Sequence, residues 1–304
     1  MELWIPITVA AAFLQNLRSA LQKHLTGRLR TSGATYVRFA FGVPFAVLYV
    51  LAVAARAGGA PVPAPNDAFA LYCAAGGLAQ ILGTALLIRA FSYRNFAVGT
   101  AYSKTEAAQT AIFAILILGE PIGPSATVAI LVSLTGVMAL SLPPGDVARP
   151  TRLVRDLASP AALLGMGSGA GFALAAVSYR AAALSLPSGG FAIRAALTLV
   201  CVIVLQTLVM TAYLAWRDPG QLVAVWRARR IAVWVGLSGM LASAGWFTAM
   251  TIQNAALVRA LGQIELVFTF AASHFVFRER TTPLELAGIA LVVAGLLILL
   301  LGRA

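Results

Sequence analysis

Along this chain the apolar residues fall in ten long runs, near 4–24, 33–55, 68–90, 97–118, 124–142, 160–184, 190–215, 231–252, 257–277 and 284–302, separated by short polar or Pro/Gly breaks. Each run approaches the roughly 20 residues a helix needs to cross hydrocarbon, and is too long for a strand of a membrane barrel. Lipid offers the backbone no hydrogen-bond partner, so a spanning segment must be a helix or part of a closed barrel. The runs therefore predict an all-α integral membrane protein of ten transmembrane helices. The longest breaks lie at 56–67, 143–159 and 217–230, and the middle one divides the chain into halves 1–148 and 149–304.

The halves repeat one another. At an offset of 159, Asn95 meets Asn254, Glu106 meets Glu265, Glu120 meets Glu279 and Gly136 meets Gly295 without a gap. At an offset of 156, Ser32-Gly33 meets Ser188-Gly189 and Arg38 meets Arg194. Five spans is an odd number, so the two copies enter the membrane from opposite sides, as inverted five-helix repeats do in many transporters.

Composition agrees: 60% of the 304 residues are hydrophobic and 11% charged, against about one-quarter charged in soluble domains. The net charge of +12 is nearly all arginine at the ends of the runs, which is a mark of topology and argues against nucleic acid as a partner. Arg28, Arg30, Arg94, Arg149, Arg152, Arg155, Arg217, Arg227, Arg229, Arg230, Arg278 and Arg280 fall in odd-numbered connections, while Arg56 and Arg303 fall on the other side. The positive-inside rule then places the odd connections in the cytoplasm and both termini outside. The N-terminal Met1-Glu2-Leu3-Trp4 lacks the basic start of a signal peptide, so the first run is expected to be a retained helix. Cys73 and Cys201 lie in apolar runs with no metal-ligand spacing, and no metal site is expected.

The paired stretches Ala97-Val98-Gly99-Thr100-Ala101-Tyr102-Ser103-Lys104-Thr105-Glu106 with Leu118-Gly119-Glu120-Pro121, and Ala260-Leu261-Gly262-Gln263-Ile264-Glu265 with Arg278-Glu279-Arg280, resemble the ten-helix EamA-type proteins of the drug/metabolite transporter superfamily. Lys23 and Arg38 resemble that family's first-helix lysine and second-helix arginine. Gln15-Asn16 stands where the family has Trp-Gly, and Ala107 and Leu266 where it has proline. The resemblance implies solute transport, often export of metabolites or amino acids, and its usual orientation has both termini in the cytoplasm, against the arginine count.

Glu106 and Glu265 fall near the middle of their spans, where a carboxylate must be paired, protonated or facing water. They are the first candidates for substrate or proton binding, with structural pairing, for example to Lys104 or Arg18, as the plainer reading. Lys104 faces neutral Gln263 across the repeat, an asymmetry that suits an anionic or zwitterionic ligand group as well as a salt bridge. Tyr102 lies one turn before Glu106. Arg18, Arg38 and Arg194 are candidates for a gate or a substrate carboxylate, with anchoring by snorkelling favoured for the last two. Trp246 is a candidate pocket wall. Gly165, Gly167, Gly169 and Gly171 overlap as GxxxG patterns that let helices approach closely.

Histidine is limited to His24 and His274, and the chain holds no HExxH, GxSxG or Walker A motif, so no catalytic residue is expected and an intramembrane enzyme is disfavoured. The expectation is a secondary active exporter of a small polar metabolite, of amino-acid or organic-acid type, working by alternating access in a bacterial inner membrane. It would need no cofactor beyond coupling protons, and would act as a monomer or homodimer with a small-molecule substrate and the lipid bilayer as partners. An exporter of toxic cations or drugs and a passive channel stand as the alternatives.

Overall fold

A computed structural model describes residues 2–23, 25, 28–56, 62–90, 102–140, 159–271 and 282–302. Outside these fall His24, Arg94, Asn95, the stretch 97–101, Arg149, Arg152 and Arg155 with the half boundary at 148–149, and His274, Arg278, Glu279, Arg280 and Arg303.

The described residues form helices α1 (Trp4–Lys23), α2 (Thr31–Ala40), α3 (Val43–Arg56), α4 (Asp67–Ala90), α5 (Glu106–Leu118), α6 (Pro124–Leu140), α7 (Pro160–Ser185), α8 (Phe191–Arg217), α9 (Pro219–Arg227), α10 (Arg229–Ile252), α11 (Ala255–Gly262), α12 (Ile264–Ala271) and α13 (Pro283–Leu301). No strand occurs among them. Six helical stretches are long and apolar enough to cross a membrane, and α5 and α6 are shorter apolar helices. Leu48, Leu71, Leu116 and Leu208 are exposed on them, as lipid-facing residues are. The chain is an all-α integral membrane protein.

Three expected continuous spans are interrupted. The second breaks at Phe41–Gly42 into α2 and α3, because Pro44 has no N–H to return to Ala40 and its ring crowds that carbonyl. Tight bonds from Phe41 N to Val37 O (3.1 Å) and Gly42 N to Phe39 O (2.9 Å) close the turn. The fourth and ninth break without proline, as described below.

The helices sort into two compact units that do not coincide with the sequence halves. One takes residues 1–78 and 178–253, the other 79–177 and 254–304. Each draws helices from both halves.

In the first unit α1 packs on α10, and α8 packs on α2, α3 and α10. Its connections meet in pairs. Arg30 binds Asp218 at 3.0 Å and its backbone N–H donates to Gln221 Oε1 at 3.0 Å, joining the first connection to the seventh. Asn66 Nδ2 donates to the Ser185 carbonyl at 2.7 Å, joining the second to the sixth. The 27 residues of α8 run from the sixth connection to the seventh, about 40 Å, so the two pairings lie at opposite ends of the unit. At the arginine-rich end, α9 buries Val225 among Leu25, Leu29, Val37, Ala232 and Val235. Trp216 and Trp226 are exposed there, with the Arg217 and Arg229 guanidinium carbons 5.2 and 5.7 Å from their ring centres, a pattern of interfacial anchoring.

In the second unit α6 packs along α13, and α11 packs on α5. A Cβ at Gly136 would stand 2.6 Å from the Gly288 carbonyl oxygen and 2.8 Å from Val292 N, so the α6 and α13 backbones touch as small-residue membrane interfaces allow. The Thr282 and Glu285 side chains form a capping box that opens α13.

Replacing Gly136 with valine should therefore push α6 from α13 and cost about 1–3 kcal/mol, read as a lower melting temperature in detergent. Gly123→Ala, where a Cβ meets nothing within 4 Å, should leave the melt unchanged. Equal melts for both variants would refute the contact.

Candidate functional site

The fourth and ninth spans break at repeat-equivalent positions. Tyr102 and Ser103 are helical, Lys104 and Thr105 turn, and α5 begins at Glu106. In the ninth, α11 ends at Gly262, Gln263 turns, and α12 begins at Ile264 with Glu265 in its first turn. Both turns are tightened by i to i−3 bonds: Thr105 N to Tyr102 O at 3.3 Å, Gln263 N to Ala260 O at 3.2 Å and Leu266 N to Gln263 O at 2.9 Å. Thr105 Oγ1 also donates to Tyr102 O at 2.6 Å and accepts from Gln109 Nε2 at 2.7 Å, while Gln109 reaches the Met166 carbonyl on α7 at 3.2 Å. Gly169 permits this approach, since a Cβ there would lie 2.9 Å from Ser103 O and 3.2 Å from Glu106 N.

Each break starts a helix beneath a glutamate, where the unpaired N–H groups and the macrodipole favour negative charge. At 1.5 Å per residue Glu106 lies about 18 Å from the end of α5 and Glu265 about 15 Å from the start of α11, close to the middle of a 30 Å hydrocarbon core.

The carboxylates are paired crosswise. Glu106, on the fourth span, binds Arg259 Nε of the ninth at 3.0 Å, and Glu265, on the ninth, binds Lys104 Nζ of the fourth. The four side chains are 12–24% exposed. Two carboxylates and two cations sum to zero charge, which is how ionised groups persist at this depth. Gln263, two residues before Glu265, is only 4% exposed. Among the described residues no three of His, Cys, Asp or Glu come together to hold a metal ion.

Of the sequence candidates, Glu106, Glu265 and Lys104 are thus brought together, with Tyr102 buried one turn away. The others lie in the first unit. Arg18 on α1 and Arg38 on α2 both flank Gly239 of α10, whose added Cβ would be 3.1 Å from Arg18 Cδ and 3.8 Å from Arg38 Cβ. The Arg38 guanidinium carbon lies 4.8 Å from the Phe39 ring centre. Trp246 is buried and donates Nε1 to Gln15 Oε1 at 3.1 Å. Arg194 donates to the Ser188 carbonyl at 3.1 Å, closing the connection before α8.

Sequence reasoning did not single out Arg259 as the partner of Glu106. The available signal was a basic residue inside a span, six positions before Glu265. Arg180 carries the same signal and serves differently, donating at 2.6, 3.3 and 2.8 Å to the carbonyls of Met250, Thr251 and Gln253 that end α10.

Residues 2–142 match the model of the EamA-like transporter family. A solved structure titled "Crystal structure of protein" is similar over 99% of this chain and 99% of its own, with a TM-score of 0.69 at 16% identity, a likeness of fold. No curated protein matches the chain in sequence.

Removing one member of a buried pair strands the other charge, at about 3–5 kcal/mol. Lys104→Met and Glu265→Gln should each lower the melting temperature strongly, and the double variant should recover most of the loss. Additive losses in this cycle would show that the two side chains do not support one another.

Proposed function

We propose that the chain is a membrane transporter of the EamA-like family, whose model matches residues 2–142, and that it exports a small zwitterionic metabolite of amino-acid type in exchange for protons. The crossed, charge-neutral quartet of Glu106, Arg259, Glu265 and Lys104 carries this reading. A zwitterion entering between a carboxylate and its cation gives each a new partner of the right sign, so no buried charge is stranded. A bare organic cation would leave Lys104 or Arg259 unpaired, and a bare anion would leave a glutamate so.

Coupling follows from competition. The substrate ammonium and a proton both neutralise the same carboxylate, so Glu106 and Glu265 hold one or the other. Protons entering from an acid exterior expel the substrate outward. Alternating access supplies the change of side, with the two repeats as inverted copies about a midplane site. The paired connections of the first unit support this: the repeat exchanges the first connection with the sixth and the second with the seventh, and so maps one observed pairing onto the other. The end bearing Arg30, Arg217, Arg227, Arg229 and Arg230 is the cytoplasmic one by the positive-inside rule, in a bacterial inner membrane.

In proteoliposomes with an acid interior, labelled amino acids should accumulate saturably. Glu106→Gln and Glu265→Gln, retained as folded protein, should abolish gradient-driven accumulation. Persistent pH-driven uptake in both variants would sink the coupling, and unsaturable flux in the wild type would identify a channel.

A further inference from the structure

Gln263 occupies the position equivalent to Lys104, at the turn between α11 and α12, and is 4% exposed. Its Oε1 and Nε2 are both buried, and neither has a hydrogen-bond partner among the described residues. A buried carboxamide left unpaired on both atoms is uncommon in native proteins and costs stability. Its backbone N–H is satisfied by Ala260 O and its carbonyl by Leu266 N, so the helix break needs nothing from the side chain. An apolar residue of the same size would serve the turn better.

We infer that the Gln263 carboxamide is a ligand-reading group, accepting from the α-ammonium and donating to the carboxylate of a bound α-amino acid. The inference rests on the zwitterion reading above and narrows it. The amide offers one acceptor and one donor side by side, and an α-amino acid offers the complementary pair on neighbouring atoms. A carboxylic acid without the amine presents acceptors only, so Oε1 stays unpaired. Such a penalty discriminates between otherwise similar ligands. The asymmetry of the repeat then has a purpose: Lys104 contributes charge on one side of the quartet, and Gln263 contributes selection on the other.

The test is Gln263→Met, close in volume and apolar, in the full-length protein. Purified without ligand, it should melt at or above the wild-type temperature, since an orphaned polar group is removed. In counterflow across proteoliposomes, with labelled alanine and other common amino acids against propionate and the matching amine-free acids, the half-saturating amino-acid concentration should rise by on the order of ten- to a hundredfold. Transport of the amine-free acids, which lose only the bond to their carboxylate, should fall much less. A lower melt would make Gln263 a structural tie and overturn the inference. So would equal loss for both classes of acid, or a wild type that carries only the amine-free acids, which leaves a transporter standing with another selector. A wild type that carries neither class removes the zwitterion reading and this inference together.

Discussion

Four ionised side chains near the middle of a hydrocarbon layer are tolerated only as a neutral set, and the arrangement of the second unit follows from that constraint. Glu106, Lys104, Glu265 and Arg259 come from two spans, and each ion pair joins one span to the other. Crosswise pairing is the consequential choice. Had each glutamate paired along its own helix, the fourth and ninth spans would each be neutral and free to separate. Because each helix carries the other's counter-charge, parting them strands charge on both. The contact of α5 with α11 is thereby held by electrostatics where lipid supplies no hydrophobic drive for helices to associate.

The interrupted helices serve the same constraint. A continuous helix presents only side chains at mid-depth, its backbone groups being consumed by its own ladder. Breaking the ladder at Lys104–Thr105 and at Gln263 starts new helices there, and places each glutamate in a first turn, where the helix dipole favours negative charge. The tight turns keep the number of unsatisfied groups small. Neither break contains proline. Thr105 and Gly169 hold the first one, by a hydroxyl bond to Tyr102 O and by the absence of a side chain on α7.

Much of this was legible in the sequence, for reasons of scale. Spans near 20 residues and mid-span glutamates in register are long-range signals that survive errors of a few residues, whereas the break before Pro44 was passed over inside an expected continuous span. Pairing was only partly legible: Lys104 stood among the expected partners of the glutamates, and Arg259 did not. Arg259, Arg180 and Arg194 look alike as basic residues in apolar runs, yet one meets a carboxylate, one caps α10 and one ties a connection. Which of these a guanidinium does depends on what the fold brings beside it, from the adjoining connection to another span altogether. The breaks without proline were also invisible, since Lys104 and Gln263 have ordinary helix propensities and the bonds that tighten the turns are set by packing. Nor did the repeat boundary predict the compact units, because each unit is assembled from both halves.

The repeat keeps its carboxylates and changes what surrounds them. Glu106 and Glu265 occupy equivalent positions, while Lys104 meets Gln263 and Arg259 meets Thr100. A duplicated scaffold with four symmetric charges could bind a ligand equally well in two orientations. Placing one cation before the glutamate of one span and the other six residues before the glutamate of its partner removes that degeneracy without disturbing neutrality. On the proposed transport reading, a polar solute then has one favoured alignment within a nearly symmetric frame. On that same reading the frame lets two similar halves exchange roles, and the broken symmetry lets the site tell one end of its ligand from the other.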